Sequence, residues 1–441
     1  MLGAAWAALG GAPELADRLT AGPAARPLGG PFAVDELAVA TIGAALIAAL
    51  ELRAARGGPL GTATLDPRHA GVAFHSERHA RRGGEPTGVG FADLSRFWPT
   101  GDGCIRTHAN YPHHRRALLS VIGEPAAIAR WSAVELEDGI VAAGGAAAAV
   151  RDAATWRAHP QGAAMAALPL LDLTAAGERT ARPLPELPED GLPAAGVRVL
   201  DLTRVIAGPV GTRMLAALGA DVLRIDPPQL PELESQWLDA AVGKRSALLD
   251  LRAYHDRAIF ERLLGEADVV VHGYRPGALA PFGLEPAALA ERHPHLVSVT
   301  LSAWGHCGPW AHRRGFDSLV QAASGIAAAL AAADGTPGAL PAQALDHGTG
   351  YLIAAAALRG LTVRATTGHA AHARLALART ADWLLCAPWA EGPAEPVDPE
   401  PYVAALGDVQ LVAPPGALDG RPLAWPAPPP RYGADRPAFA A

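Results

Sequence analysis

The chain has 441 residues, half of them hydrophobic, and a formal net charge of −7 at pH 7. This length allows two or three domains with a large buried core, and the negative charge weighs against a general nucleic-acid-binding protein. No uncharged apolar run reaches the roughly 20 residues of a membrane span. The most apolar early stretch, residues 37–50, has neither a basic start nor a cleavage site. We therefore expect a cytoplasmic protein that does not act at a membrane.

The cysteine and histidine patterns predict no metal site. Cys104, Cys307 and Cys386 are far apart and form no CxxC pair, which predicts neither a disulfide framework nor a zinc knuckle. The three histidines within residues 108–114 fit no zinc motif, and no cysteine or carboxylate pair completes them. We interpret these histidines as a surface or helix-start group and leave open a role at the edge of a substrate site.

The first half of the chain gives weaker signals. Residues 34–55 are typical of a helix, and Trp98–His108 is typical of a hairpin that turns at a Gly-Asp-Gly sequence. Residues 174–196, rich in proline, glutamate and glycine, are typical of a linker. We place the main domain boundary there, after an N-terminal region of residues 1–190.

Residues 197–228 contain the clearest pattern in the chain. Val197–Leu202 is typical of a buried strand, apolar residues at helical spacing follow over Thr212–Leu218, and Asp221–Ile225 predicts a second strand. A strand, a helix and a strand within about thirty residues form the βαβ unit of a parallel sheet. Ligands of such sheets bind beyond the carboxyl ends of the strands, so the turn Arg204–Pro209 is a candidate binding turn.

The alternation of strands and helices continues towards the C-terminus. Strands are predicted at Gly243–Leu251, Ala267–Val271, Leu296–Leu301 and residues 361–367, and helices at Tyr254–Leu264, Pro286–Arg292 and Tyr351–Arg359. This pattern favours a doubly wound parallel α/β domain over residues 195–385. The proline-rich residues 386–441 are predicted to extend over the surface as a tail.

Three features of this half are candidates for chemistry, and each has two interpretations. The glycine-rich residues 302–310 either donate backbone N–H groups to an oxyanion or phosphate or simply turn a corner. Lys244, the only lysine of the chain, marks either a position that needs an ammonium group or a solvated turn. Asp346, before a predicted helix, is either an N-cap or a carboxylate nucleophile that forms a covalent intermediate.

Five segments, in order, carry a resemblance. They are LDLTRVIAGPVGTRMLAALGADVLRIDPP, GKRSALLDL, EADVVVHGYRPGALAPFGL, LVSVTLSAWGHCGPWAHRRGFDSLVQAASG and LPAQALDHGTG. Over residues 197–361 the chain resembles the family III CoA-transferases, which include formyl-CoA and carnitine CoA-transferases and the related α-methylacyl-CoA racemases. TGDGCIRTH and DAATWRAHP, in the first 190 residues, are similar to the smaller α+β domain and C-terminal half of that family. The resemblance thus implies a rearranged domain order.

The resemblance implies an acyl-CoA:carboxylate CoA-transferase. Asp346 matches the catalytic aspartate, which forms an aspartyl-acyl anhydride and then an aspartyl-CoA thioester. CoA and acyl-CoA would enter as substrates, with no permanently bound cofactor, and the family implies an interlocked homodimer with a Rossmann-like CoA domain. The implied CoA-binding positions, with two arginines added as phosphate contacts, are Arg204, Val205, Ile206, Ala207, Lys244, Arg245, Leu249, Gly273, Tyr274, Arg275 and Ala278.

Departures from the family pattern keep alternatives open. Gly273 replaces a common asparagine, and Phe316 replaces the histidine that racemases place before an aspartate, which counts against two-base proton exchange. The histidines that could replace it are His306, His312 and His347. An α-methylacyl-CoA racemase therefore stays an alternative, as does a non-catalytic CoA-binding subunit. A dinucleotide-binding dehydrogenase is the weakest alternative, because no GxGxxG follows Leu202.

Overall fold

The computed structural model describes residues 1–87, 90–176, 179, 182–390 and 392–440. The α-helices are α1 Leu2–Ala8, α2 Val34–Ala55, α3 Pro67–Ala73, α4 Pro112–Ile122, α5 Ala133–Ala142, α6 Ala153–Ala158, α7 Pro160–Ala166, α8 Ala207–Ala217, α9 Glu234–Ala241, α10 Tyr254–Glu266, α11 Pro286–Arg292, α12 Asp317–Ser324, α13 Ile326–Ala329, α14 Ala344–Thr367 and α15 Leu377–Leu385. Short 3-10 helices lie at Pro13–Arg18, Ser76–Arg78, Pro125–Arg130, Ala280–Phe282 and Glu400–Tyr402.

The strands are β1 Leu19–Ala21, β2 Ala63–Leu65, β3 Arg81–Arg82, β4 Glu85–Pro86, β5 Phe97–Pro99, β6 Cys104–Thr107, β7 Ala147–Ala149, β8 Leu171–Ala176, β9 Arg198–Leu202, β10 Asp221–Asp226, β11 Arg245–Leu248, β12 Val269–His272, β13 Val297–Ser302, β14 Ala370–Ala376, β15 Val403–Leu406, β16 Val409–Val412, β17 Ala417–Leu418 and β18 Arg421–Pro422.

A seven-stranded sheet in the order β11-β10-β9-β12-β13-β14-β8 forms the centre of the fold. Its first six strands run parallel, and β8 pairs antiparallel with β14. The strand order reverses between β9 and β12, and ligands of such sheets bind in the crevice at this switch point. The predicted mixed α/β fold with a parallel sheet is therefore confirmed, and the crevice begins at the turn after β9.

Both faces of the sheet are covered, because successive strand residues point to opposite sides. On β9, Val199 packs into the core that contains α8 and α14, and Leu200 packs with Phe260 and Leu263 of α10 on the other face. Near-continuous apolar strands of this kind are typical of parallel sheets buried on both sides.

The core that contains α8 and α14 extends into the N-terminal half of the chain. α2 packs along α14, and most residues of both helices are buried. By length and composition, α2 is the one helix in the described part of the chain that is long and apolar enough to cross a membrane. Of its most apolar stretch of 18 residues, 83% is buried inside the protein. A helix in the core of a protein can be equally apolar and is buried in the same way.

Three sequence predictions differ from the structure. Residues 361–367 continue α14 instead of forming a strand, since α14 ends only at Thr367, where Gly368 is the C-cap with a left-handed φ of 79°. The predicted linker begins within β8, a strand of the central sheet. The predicted extended tail instead supplies β16, which pairs with β3, and β17, which pairs with β2. The C-terminal segment thus ties down the N-terminal half.

Candidate active site

Asp346 lies in the first turn of α14 and is 7% exposed. It is not the N-cap, because Gln343 holds that position and α14 begins at Ala344. The cap comes from α12 instead: Asp317 Oδ2 accepts the backbone N–H groups of Leu345 at 2.9 Å and Asp346 at 3.0 Å. The Asp346 side chain is therefore free of the capping role that its sequence position suggested.

Close contact between α8 and α14 places a second helix start beside this carboxyl group. A Cβ at Gly350 would lie 2.5 Å from the carbonyl oxygen of Ala207, and one at Gly211 would lie 2.7 Å from that of Gly350. Only glycine fits this contact. The backbone N–H groups of Ala207 and Gly208, in the first turn of α8, have no acceptor within the helix, and both residues line the same cleft as Asp346.

The turn before α8 is strained. Val205 has φ of 69°, in the left-handed region that β-branched residues avoid. Its N–H donates to Glu232 Oε2 at 3.1 Å. Glu232 also accepts from Tyr111 Oη at 2.7 Å and from Arg224 at 2.8 Å. This buried network fixes the turn in the form that exposes the start of α8.

A cleft of about 340 Å³ opens from Asp346 at the carboxyl edge of the sheet. Of the predicted CoA-binding residues, those that line it are Arg204, Val205, Ala207, Gly273, Tyr274, Arg275 and Ala278. Ile206 lies on the other side of the turn and lines a smaller chamber. The structure thus brings the turn after β9 and the loop after β12 together at one site, next to Asp346.

The arginine side chains of the cleft differ in how many groups of the protein they already bind. Arg204 donates to the carbonyl oxygens of Leu230 and Pro231 and to Glu232, so it supports the wall of the cleft. Among the described residues, the Arg275 side chain has one hydrogen bond, to the carbonyl of His312 at 2.8 Å. Burial and the nearby Arg275 charge lower the pKa of Arg314, which the sequence analysis did not select. Two neighbouring guanidinium groups of this kind suit an anionic ligand.

Lys244 and Arg245 are not brought to the cleft, which corrects their assignment as CoA-binding residues. The Lys244 side chain is fully buried, and its Nζ contacts Asp201 Oδ2 at 2.9 Å and Thr212 Oγ1 at 2.7 Å. Arg245 pairs with Asp221 at the sheet edge. Leu249 packs in the core beside α10 and does not line the cleft.

The glycine-rich residues 302–310 serve packing as well as the site. A Cβ at Gly305 would lie 2.4 Å from Met165 Cε, and one at Gly308 would lie 2.5 Å from Gln161 Oε1. Gln161 donates to the carbonyls of Trp304 and Cys307 at 2.6 and 2.9 Å. These glycines therefore let the loop dock on α7 of the N-terminal half, whereas Ser302 and Ala303 line the cleft.

A chamber of about 80 Å³ lies on the other side of Asp346 and Phe316. Its walls come from both halves of the chain. The lining residues are Glu77, Arg78, Gly90, Phe91, His108, Asn110, Val205, Ile206, Gln236, Phe316, Asp317, Ser318, Gln343 and Asp346. The N-terminal half therefore completes this site within the same chain, through residues that the sequence analysis did not assign to it.

Three carboxyl groups meet around the first turn of α14. Burial, followed by the charges of Asp317 and Glu77, raises the pKa of Asp346 well above its ordinary value. Burial also raises the pKa of Asp317 to about 6, against the lowering effect of its hydrogen bonds. Burial opposes the ionisation of Glu77, but its contact with His347 Nε2, at 3.0 Å, lowers the pKa of Glu77. Of the three, Asp346 is the carboxyl group whose pKa none of the described neighbours lowers.

The histidines of residues 108–114 are part of the site. His113 and His114 lie in the first turn of α4, as the helix-start interpretation had it, but the surface interpretation is wrong for His108 and His114. His108 stacks on Phe316 with ring centroids 3.6 Å apart, and His114 meets the same ring edge-on at 5.6 Å. Both are nearly fully buried. Burial, then the neighbouring His113 charge, lowers the pKa of His114 to about 3, so its imidazole is neutral. In the described part of the chain, no three His, Cys, Asp or Glu side chains are grouped to hold a metal ion.

Comparisons with known proteins agree with this geometry. Residues 194–404 match the family model "CoA-transferase family III". This part of the chain belongs to CoA-transferase family III. The family III match includes β9 to β14, Asp346 and every predicted CoA-binding residue, whereas Glu77, Arg106 and His108 lie outside it.

Several curated family III relatives match about 40–44% of the chain. They include a "Probable fatty acyl-CoA transferase" of Mycobacterium tuberculosis, 34% identical and covering 40% of this chain and 48% of that protein. The succinate–glutarate CoA-transferase of Agrobacterium fabrum is 31% identical and covers 44% and 52%. The acetyl-CoA:oxalate CoA-transferase of Acetobacter aceti is 35% identical and covers 41% and 49%. The chain thus spans about half the length of these relatives.

Among solved structures, a CaiB/BaiF family protein of Brucella suis is 28% identical, with a TM-score of 0.41 over 51% of this chain and 66% of that one.

Proposed function

We propose that the protein is an acyl-CoA:carboxylate CoA-transferase in which Asp346 is the nucleophile. The observation that carries this proposal is the position of Asp346, in the wall shared by the large cleft and the small chamber. A donor thioester in the cleft would present its carbonyl to Asp346, with its acyl group in the chamber. The names of family III relatives, which act on succinate, glutarate and oxalate, support this class of reaction.

The proposed reaction proceeds through two covalent forms of Asp346. An ionised Asp346 oxygen attacks the thioester carbonyl, the C–S bond breaks, and CoA leaves as a thiolate with an aspartyl-acyl anhydride left behind. The thiolate then attacks the Asp346 carbonyl, which releases the donor acid and forms an aspartyl-CoA thioester. The acceptor carboxylate attacks that thioester, the C–S bond breaks, and CoA thiolate leaves a second anhydride, between Asp346 and the acceptor. The thiolate then attacks the acceptor carbonyl of this anhydride, which forms the new acyl-CoA and releases Asp346 as a carboxylate. Covalent steps of this kind divide one difficult exchange into easier ones.

The surroundings of Asp346 suit these steps. The free N–H groups of Ala207 and Gly208 lie at the positive end of α8 and would stabilise the oxyanion of each tetrahedral intermediate. Arg275 and Arg314 would bind phosphate groups of CoA in the cleft. Because burial and neighbouring charges raise the pKa of Asp346, its carboxylate is more basic than an exposed one and thus a better nucleophile once ionised.

Intact-protein mass spectrometry after incubation with a panel of acyl-CoAs, with hydroxylamine trapping, tests the proposal. A trappable adduct that is present in the wild type and absent in Asp346→Ala is the expected result. CoA binding without any adduct would instead favour a CoA-binding subunit.

An α-methylacyl-CoA racemase is the second candidate. One observation favours it: the His108 imidazole stacks directly on Phe316, the position at which racemases hold a histidine. His108 and Asp346 would then exchange the α-proton from two sides of the chamber. Deuterium incorporation at the α-carbon of a 2-methylacyl-CoA, without an Asp346 adduct, would establish this reaction instead.

The interlocked homodimer and the cytoplasmic location remain part of the proposal. Both come from the family resemblance and the composition. Sedimentation velocity of the purified chain at several concentrations tests the first, and fractionation of the producing cells tests the second.

A further inference from the structure

Arg106, on β6, is a buried arginine that forms no ion pair with any described residue. It is 6% exposed, and within the described residues its side chain has no ion-pair partner and makes no hydrogen bond, with its Nε left without an acceptor. Its guanidinium packs over the rings of Phe91 and Phe97, 4.4 and 5.1 Å from their centroids. Aromatic faces offset only a small part of the cost of removing such a cation from water.

The other equally buried arginines in the described part of the chain all have carboxylate partners. They are Arg53, Arg151, Arg213, Arg224, Arg359 and Arg364, paired with Asp419, Glu137, Asp239, Asp226, Glu51 and Asp268. Burial of an unpaired charge is strongly unfavourable. The exception at Arg106 therefore indicates an anion that comes from outside the chain.

Arg106 lies beside the chamber, packed against Phe91, a residue that lines it. Residues 106 and 108 lie on one side of the β5-β6-β7 sheet, and Ile105 packs on the other side in its core. His108 and Phe91 both line the chamber, and Phe91 is the ring on which Arg106 packs. Burial, partly offset by the nearby Asp317 charge, lowers the pKa of Arg106 to about 10, so the group is a cation at neutral pH.

The chamber also offers a neutral donor. Asn110 Oδ1 accepts from Ala92 N at 3.1 Å and from Ser95 Oγ at 2.6 Å. With its oxygen so used, the amide NH₂ of Asn110 is left to donate to a ligand. Both oxygens of Asp317 accept hydrogen bonds from the protein, Oδ1 from Gln321 and Oδ2 from α14.

We propose that Arg106 binds the second carboxylate of a short-chain dicarboxylic acid whose other carboxylate reacts at Asp346. The proposal rests on the CoA-transferase function and specifies its substrate class. A planar guanidinium binds a carboxylate through two parallel hydrogen bonds, and the small volume of the chamber, about 80 Å³, selects short acids over fatty acyl chains. The donor acyl group and the acceptor occupy this subsite in turn.

The test compares succinate with butyrate as acceptor, in the wild-type chain and in Arg106→Met. We expect the ratio of kcat/KM for succinate over butyrate to fall by about tenfold or more in R106M, mainly through KM for succinate. Arg106→Lys keeps the charge but not the paired hydrogen bonds, and we expect it to restore part of the ratio. Arg96→Met is the matched control, because Arg96 is exposed and packs over Trp98 of the same small sheet; its ratio should equal that of the wild type.

Two further measurements separate the failure of this inference from that of the proposed function. If succinyl-CoA labels Asp346 in the wild type while R106M and R106K keep the wild-type ratio, the inference is wrong and the transferase stands. If no acyl-CoA labels Asp346, calorimetric titration with succinate still tests the Arg106 subsite. Succinate binding to the wild type that is lost in R106M would support the subsite. No succinate binding to the wild type would overturn it. Thermal unfolding of each variant shows whether it is folded.

Discussion

Asp317 caps the helix that carries Asp346 and at the same time faces it as a like charge. Its Oδ2 accepts the Asp346 N–H at 3.0 Å, and its charge is the second cause, after burial, of the raised pKa of Asp346. One residue therefore both positions the proposed nucleophile and makes it more basic. A cap within Asp346 itself would have used the carboxylate that the reaction needs.

The substitution Asp317→Asn should move the acid limb of the pH–rate profile to lower pH. Asparagine keeps an oxygen for the α14 amides but removes the charge that raises the pKa of Asp346, so Asp346 ionises at lower pH. We expect a loss of stability of about 1 kcal/mol from the weaker cap. The rate of Asp346 acylation measured from pH 4 to pH 9 checks this, and an acid limb unchanged from the wild type would contradict it.

The variant Asp346→Asn should be more stable than the wild type at pH 8. Because burial raises the pKa of Asp346 in the folded state, the folded carboxyl binds a proton more tightly than the unfolded one. The wild type therefore loses stability as pH rises from the unfolded pKa through the folded pKa, and the neutral amide does not. The higher pKa of the folded carboxyl therefore predicts a higher unfolding free energy for the amide variant at pH 8.

Urea unfolding of both proteins at pH 4 and pH 8 measures this effect. The difference in unfolding free energy should be larger at pH 8. Equal differences at the two pH values would mean that the substitution acts through packing and not through ionisation.

The sequence predicted the parts of the site that depend on local pattern. The strand–helix–strand unit placed Val205 and Ala207 beyond β9, and the loop after β12 placed Gly273 and Tyr274 beside them. The switch point of the sheet brings both loops together. Local patterns and short connections are enough to fix such an arrangement.

The chamber was missed because its contacts join residues far apart in the chain. Glu77 and His347, whose side chains meet at 3.0 Å, are 270 positions apart. No periodicity relates them, and β16 pairs with β3 in the same long-range way. The two interpretations of Lys244 also could not be resolved, because a buried partner such as Asp201 lies on another strand and leaves no mark in the surrounding sequence.

The variant Lys244→Met should destabilise the fold without a selective effect on CoA binding. Loss of the ammonium leaves Asp201 buried without a counterion, which typically costs about 3–5 kcal/mol. The double variant Asp201→Leu with Lys244→Met removes both charges and should recover a large part of that loss. Guanidinium unfolding of the wild type and both variants, with CoA titration of the folded ones, checks this. A K244M protein of wild-type stability that no longer binds CoA would restore the original assignment.

Substitution of Arg314 or Arg275 by glutamine should weaken CoA binding. Both side chains line the cleft, and the mutual repulsion of their charges contributes to the lowered pKa of Arg314, so an anion between them is stabilised by both. We expect Kd for CoA to rise about tenfold for each variant and the salt dependence of Kd to become shallower. Arg130→Gln is the control, since Arg130 is exposed on the 3-10 helix Pro125–Arg130 and does not line the cleft. If Arg204→Gln alone weakened binding while R275Q and R314Q matched the control, the phosphate contacts would belong to the turn after β9, and the assignment of Arg204 to a supporting role would be wrong.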